Sequence, residues 1–151
     1  MDSALQFLHR PVIWVLALLF AIFYPMLISI YVFLPLVVGI MGYILILGIE
    51  ERKIYYILIS LLYFINLEVN LSLPFFLIII SVLITYAMFY HSLEHFRTCQ
   101  ICKPIISVIL IDFIYLGILM SYDFIFQTTS VELDYILFYT LIVDMLVVVI
   151  L

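Results

Sequence analysis

The chain alternates long apolar blocks with three short polar breaks, and these breaks hold every basic side chain. They contain Arg10, then Arg52 and Lys53, then Arg97 and Lys103. Each apolar block that follows a break is too long for one membrane span, which needs about 20 apolar residues, and fits a hairpin of two spans. The pattern therefore predicts three transmembrane helical hairpins.

The predicted spans give an all-α, polytopic bundle of about six helices. They cover about residues 12–30, 33–49, 54–67, 73–90, 104–126 and 134–151. Pro35 and Pro74 fit the first turns of the second and fourth spans, where a missing N–H costs nothing. A five-span alternative stays open, in which the first two spans form one kinked helix or the third is a re-entrant segment.

The orientation follows from the basic residues. A hairpin returns the chain to the side from which it started, so three hairpins place all the Lys and Arg side chains on one face of the bilayer. Cytoplasmic loops are the ones enriched in Lys and Arg. We therefore expect both termini inside, in a multi-pass protein of the bacterial inner membrane.

Composition agrees with this assignment. The chain is 70% hydrophobic and 10% charged, whereas an ordinary soluble domain has about 25% charged residues. We predict a single integral membrane domain over residues 1–151, surrounded by the lipid bilayer. Five basic residues are too few for a nucleic-acid-binding patch.

Two acidic residues lie deep inside predicted spans, away from the span ends. Asp112 and Asp144 fall at similar depth in neighbouring antiparallel helices. An ionisable side chain at that depth is costly and faces the bundle interior or a partner. Two close carboxylates repel each other, which favours a protonated or cation-bound pair, so they are candidates for an ion-coupled site. The alternative is a pair of buried polar anchors, hydrogen-bonded within the bundle or to another protein.

The loop between the fourth and fifth spans carries candidate metal ligands. His91, His95 and Cys99 recur on one helix face, and Cys102 completes a C-x-x-C pair. Two imidazoles and two thiolates would form a tetrahedral zinc site. The alternative is an amphipathic junction whose thiols are reduced, as expected in the cytosol. A redox-active C-x-x-C pair and a peptidase of the H-x-x-E-H pattern, which His91, Glu94 and His95 match formally, are further alternatives.

A polar cluster marks the outer turn of the second hairpin, where Asn66, Glu68 and Asn70 follow one another closely. Side chains at such turns commonly satisfy the free backbone groups of helix ends, and we expect that role here. The sequence contains no nucleophile–base pairing, phosphate loop or cofactor fingerprint, so we predict that the protein is not an enzyme and uses no cofactor.

The order of these parts resembles that of MreD, the rod-shape-determining inner-membrane family. The similarity lies in Arg10 to Trp14 at the start, Phe33-Leu34-Pro35 at the second span, the polar turn at 65–73, Ile84-Thr85-Tyr86 before Phe96-Arg97, and Ile111-Asp112. Family members often carry Asp where Asn66 stands and Leu-Gly where Leu71-Ser72 stands. The resemblance implies a non-enzymatic scaffold that joins cell-wall elongation proteins.

The leading hypothesis is therefore an inner-membrane scaffold or assembly protein in the cell-shape and peptidoglycan-synthesis machinery, with other membrane proteins as partners. The alternative is a small transporter, or the substrate-binding membrane subunit of one, that uses Asp112 and Asp144.

Overall fold

The computed structural model describes residues 11–31, 34–95, 102–127 and 135–150, and all regular structure in these ranges is helical. The predicted all-α class is confirmed. The helices are α1 (Pro11–Ile30), α2 (Val38–Glu50), α3 (Ile54–Asn70), α4 (Leu77–His95), α5 (Cys102–Phe126) and α6 (Tyr135–Ile150).

Two helices begin later than the sequence predicts. α2 begins at Val38 rather than at about residue 33, and α4 begins at Leu77 rather than at about residue 73. Pro35 and Pro74 consequently lie in non-helical linkers instead of in first helical turns. α3 runs to residue 70 rather than 67 and α4 to residue 95 rather than 90, while the other bounds agree within two residues.

The two linkers are built alike. Leu-Pro occurs at 34–35 and again at 73–74, and the second residue after each proline is left-handed: Val37 has φ 54° and Phe76 has φ 64°. Neither residue is glycine, and this conformation is a true steric outlier for a β-branched Val. A right-handed helix cannot include a left-handed residue, so each helix starts at the next position.

The helices of the first two hairpins alternate in direction. The rings of Trp14 in α1 and Tyr56 at the start of α3 have centroids 5.3 Å apart, and Gly48 near the end of α2 packs directly against Tyr56. At the other end, the Tyr63 hydroxyl donates to the carbonyl of Leu36, which precedes α2, at 2.5 Å. α1 and α3 are therefore parallel, with α2 antiparallel to both, which disagrees with a single kinked helix across the first two spans.

α2 is the centre of the bundle and packs against α3, α4, α5 and α6. Lys103 at the start of α5 pairs with Glu50 at the end of α2, with 2.6 Å between Nζ and Oε2, so α5 is antiparallel to α2. A small apolar cluster of Ile40, Val108 and Val148 joins α2, α5 and α6.

Apolar side chains are abundant on the surface, while some charged ones are buried. Large residues along one side of α1 are exposed, Val12 by 63% and Phe23 by 57%, whereas Glu68 is 1% exposed and Asp144 is fully buried. α1 from Val12 and α5 are long and apolar enough to cross a membrane. The other apolar helical segments are shorter: Val38–Glu50, Ile54–Asn70, Leu77–Phe89 and Tyr139–Ile150.

Candidate functional site

Asp112 and Asp144 meet at the first turn of α2. The backbone N–H of Gly39 donates to Asp144 Oδ2 across 2.9 Å, although the two residues are 105 positions apart in the chain. A Cβ atom added at Gly39 would lie 2.8 Å from Asp112 Oδ1 and 2.9 Å from its Oδ2. The Asp112 carboxyl group therefore occupies the space that any side chain at residue 39 would need, and both acids face the same backbone position.

This position is the N-terminus of a helix, where free N–H groups and the helix dipole favour negative charge. Val37 immediately precedes it in the left-handed conformation. Asp144 thus acts as a helix cap delivered from a distant part of the chain.

Each of the two carboxyl groups has one oxygen without a partner. Among the residues that the structure describes, the buried side-chain atoms with no hydrogen-bond partner are Asp112 Oδ2, Asp144 Oδ1 and Ser60 Oγ. A buried polar atom without a partner is costly. The acid pair is therefore the least satisfied polar group in the described part of the molecule.

The site is remote from the basic end of the bundle. Asp112 lies about 15 Å along α5 from its first residue, at ~1.5 Å per residue. Arg52 and Lys53 lie in the turn after α2, and Lys103 pairs with Glu50. The two salt bridges within the described ranges, Lys103–Glu50 and Lys53–Glu51, involve neither Asp112 nor Asp144.

The start of α4 shows a second buried carboxylate cap. Glu68 Oε2 accepts the N–H of Phe76 at 2.8 Å, and Oε1 accepts the N–H of Ile78 at 3.0 Å. Both oxygens of this carboxylate are satisfied. Glu68 thus has the backbone-capping role that the sequence indicates for the outer turn.

Asn66 and Asn70 complete that turn. The Asn66 amide donates to the carbonyls of Ala21 at 3.2 Å and Ile22 at 2.6 Å, so it ties α3 to α1. The amide of Asn70 donates to the backbone and side-chain oxygens of Asn66, each at 2.7 Å. The three polar residues of the outer turn therefore have structural partners.

The predicted zinc ligands fall mainly outside the described side chains. The backbone of His91 and His95 lies in α4, but their side chains and all of Cys99 are outside the described part. Cys102 is disulfide-bonded rather than reduced, and in that state it offers no thiolate to a metal. Within the described ranges, no three His, Cys, Asp or Glu side chains are placed to hold a metal ion. The zinc site at the loop stays a prediction.

Gly39 is the site residue that the sequence reasoning missed. Glycine is rare in this chain, with four in total. A glycine shortly after the Leu34-Pro35 pair was therefore the sequence signal for a close approach at this position.

Comparison with known proteins finds no match for the chain among protein-family models, curated proteins or solved structures.

Proposed function

We propose that the chain is a multi-pass protein of the bacterial inner membrane, with six spans in three hairpins and both termini inside. The exposed apolar surface and the buried carboxylates support this arrangement, because they invert the pattern of a soluble protein. The Lys103–Glu50 pair supports it further, since it brings two of the basic breaks to one end of the bundle.

α2 alone is too short to cross a bilayer. Its 13 residues rise about 20 Å at ~1.5 Å per residue, against a hydrocarbon core of about 30 Å. In the proposed arrangement the linker 34–37 completes the crossing. Non-helical backbone at membrane depth must be satisfied by protein, and the hydroxyls of Tyr24 and Tyr63 donate to the carbonyls of Pro35 and Leu36.

Within the membrane, the function that we propose is a non-enzymatic scaffold of the cell-shape and cell-wall synthesis machinery, as the MreD resemblance implies. The observation that carries this proposal is the use of polar groups. The polar side chains that cap helices or tie segments together are Tyr24, Tyr63, Asn66, Glu68 and Asp144. The exposed surface is largely apolar and is available for contacts with lipid and with other membrane helices.

One position departs from the family pattern in a chemically meaningful way. The Asn66 amide donates two hydrogen bonds to backbone carbonyls of α1. The ionised Asp that family members often carry there has no N–H to donate. An Asp at this position in those proteins would therefore need a hydrogen-bond donor as its partner instead of backbone carbonyls.

Co-purification from native membranes tests the scaffold proposal. The tagged full chain is extracted in mild detergent and its partners are identified by mass spectrometry, with an unrelated small multi-pass protein at equal expression as the control. We expect enrichment of cell-wall synthesis proteins. Enrichment of an energising ATPase instead would contradict the proposal.

A second candidate is a small ion-coupled transporter or its membrane subunit. The observation that favours it is the late start of α2, because transporters commonly bind ions and substrates at the ends of discontinuous helices near the midplane. Reconstitution into liposomes with an imposed pH gradient tests it: protein-dependent dissipation of the gradient supports transport, and unchanged dissipation in Asp112→Asn with Asp144→Asn contradicts it.

A further inference from the structure

The start of α4 can be compared directly with the start of α2, where Asp112 and Asp144 meet. α2 and α4 both begin after a Leu-Pro linker that ends in a left-handed residue. At α4 one carboxylate, Glu68, accepts two backbone N–H groups and both of its oxygens are used. At α2 two carboxylates face the backbone N–H groups of Gly39 and Ile40, and one oxygen of each carboxylate has no partner. The α2 site therefore has too few donors for its acceptors.

The neighbouring side chains do not supply the missing donor. The titratable groups that face Asp144 are Tyr24 from α1, Tyr63 from α3 and Asp112 from α5. Both tyrosine hydroxyls already donate to linker carbonyls. The described basic residues lie at the far end of α2 and α5. Two adjacent buried carboxylates without a cation cannot both stay ionised at reasonable cost.

We propose that Asp112 and Asp144 together bind one proton, with Asp144 as the charged cap of α2 and Asp112 as a carboxylic acid. The proton resides on Asp112 Oδ2, which becomes a donor, while Asp144 Oδ1 is the acceptor that lacks a partner. Asp144 keeps the charge because it accepts the Gly39 N–H and also interacts with the N–H of Ile40, at the positive end of a helix. A proton is thus the ion that we assign to the second candidate function. This proposal rests on the proposed membrane setting.

A proton suits this position better than a metal cation. The positive end of α2 repels a bound cation but stabilises the single remaining negative charge. Within the described ranges, no third His, Cys, Asp or Glu side chain joins the pair. A shared proton needs only the two groups that are present.

Infrared spectroscopy of the purified full chain in nanodiscs at neutral pH tests the proposal. The wild type should show a carboxylic-acid C=O band that shifts in heavy water. In Asp112→Asn the band should be lost while the melting temperature stays close to that of the wild type, because the Asn amide still donates to Asp144. Glu68→Gln is the matched control and should keep the band, since Glu68 is a fully hydrogen-bonded carboxylate.

Three outcomes would overturn the proton site: absence of the band in the wild type, its persistence in Asp112→Asn, or a melting temperature that rises with sodium chloride but not with choline chloride. The last result would assign a bound cation instead. A failed transport assay with the band present rejects the transporter and leaves the proton site intact, so the two results are distinguishable.

Discussion

Lys103 Nζ lies 2.6 Å from Glu50 Oε2, and both side chains are about one-fifth exposed, at 18% and 19%. This pair joins the break after α2 to the break before α5. Trp14, near the start of α1, contacts Tyr55 at the same end of the bundle. The beginnings of α1, α3 and α5 therefore lie together, as one-sided placement of the basic residues requires.

The first prediction concerns this sidedness and uses two single-cysteine variants, Glu51→Cys and Ser72→Cys, in a background with Cys99→Ser and Cys102→Ser. Both positions are exposed and lie in turns at opposite ends of α3. An impermeant thiol reagent added to intact spheroplasts should label Ser72→Cys and should label Glu51→Cys only after permeabilisation. The reverse labelling pattern would contradict the N-in, C-in orientation.

Hydropathy and charge predicted the helices because they report on whether a segment is apolar. They also anticipated that Asp112 and Asp144 would lie at similar depth, since antiparallel neighbours bring equivalent distances from the same face together. The structure places both acids at Gly39. Such arguments use only the order and length of segments.

The starts of α2 and α4 could not be found in the same way. Residues 34–37 are as apolar as the helix that follows, so no change in hydropathy marks the boundary. The boundary depends on left-handed Val37 and on an acid 105 residues further along the chain. Capping by distant residues is tertiary information, which local periodicity does not contain.

The second prediction concerns the space above Gly39. Gly39→Ala would place a Cβ 2.7 Å from Val108 Cγ1 and 2.8 Å from Asp112 Oδ1. Both neighbours belong to α5, so the added methyl group should push α5 away from α2. This displacement should lower the free energy of unfolding by about 1–3 kcal/mol. Gly117→Ala is the control, because nothing lies within 4 Å of its added Cβ, and it should be neutral or stabilising by up to about 1 kcal/mol. Denaturant unfolding in detergent measures both, and equal effects would contradict the packing.

The third prediction concerns the cap of α4. Glu68→Ala leaves the N–H groups of Phe76 and Ile78 without their acceptor, and each unsatisfied buried donor costs about 1–3 kcal/mol. Glu68→Gln retains one acceptor oxygen and should lose less stability. The control is Ser29→Ala, 39 positions earlier, where an exposed hydroxyl bonds only to Met26 of its own helix. Its effect should stay within about 0.5 kcal/mol.

A loss in Glu68→Ala no larger than that in Ser29→Ala would show that the cap is dispensable. The measurement is again unfolding in detergent, with helical circular dichroism as the signal. Hydrogen exchange at Ile78 gives a local readout, because its amide should exchange faster in Glu68→Ala and remain protected in Ser29→Ala.

The fourth prediction couples Asn66 to Pro25. A proline inside a helix has no N–H for the carbonyl four residues earlier, and Pro25 lies inside α1, so Ala21 O lacks its usual helical donor. The Asn66 amide supplies one at 3.2 Å. Asn66→Ala should therefore destabilise the protein by about 1–3 kcal/mol.

A double-mutant cycle checks this compensation. Pro25→Ala returns an N–H to α1, so Asn66→Ala should cost less in that background, with a coupling energy of about 0.5–3 kcal/mol. Asn70→Ala is the control, because the Asn70 amide donates only to Asn66 within α3 and should show weaker coupling to Pro25. Identical costs of Asn66→Ala with and without Pro25 would mean that the amide ties the two helices together independently of the proline.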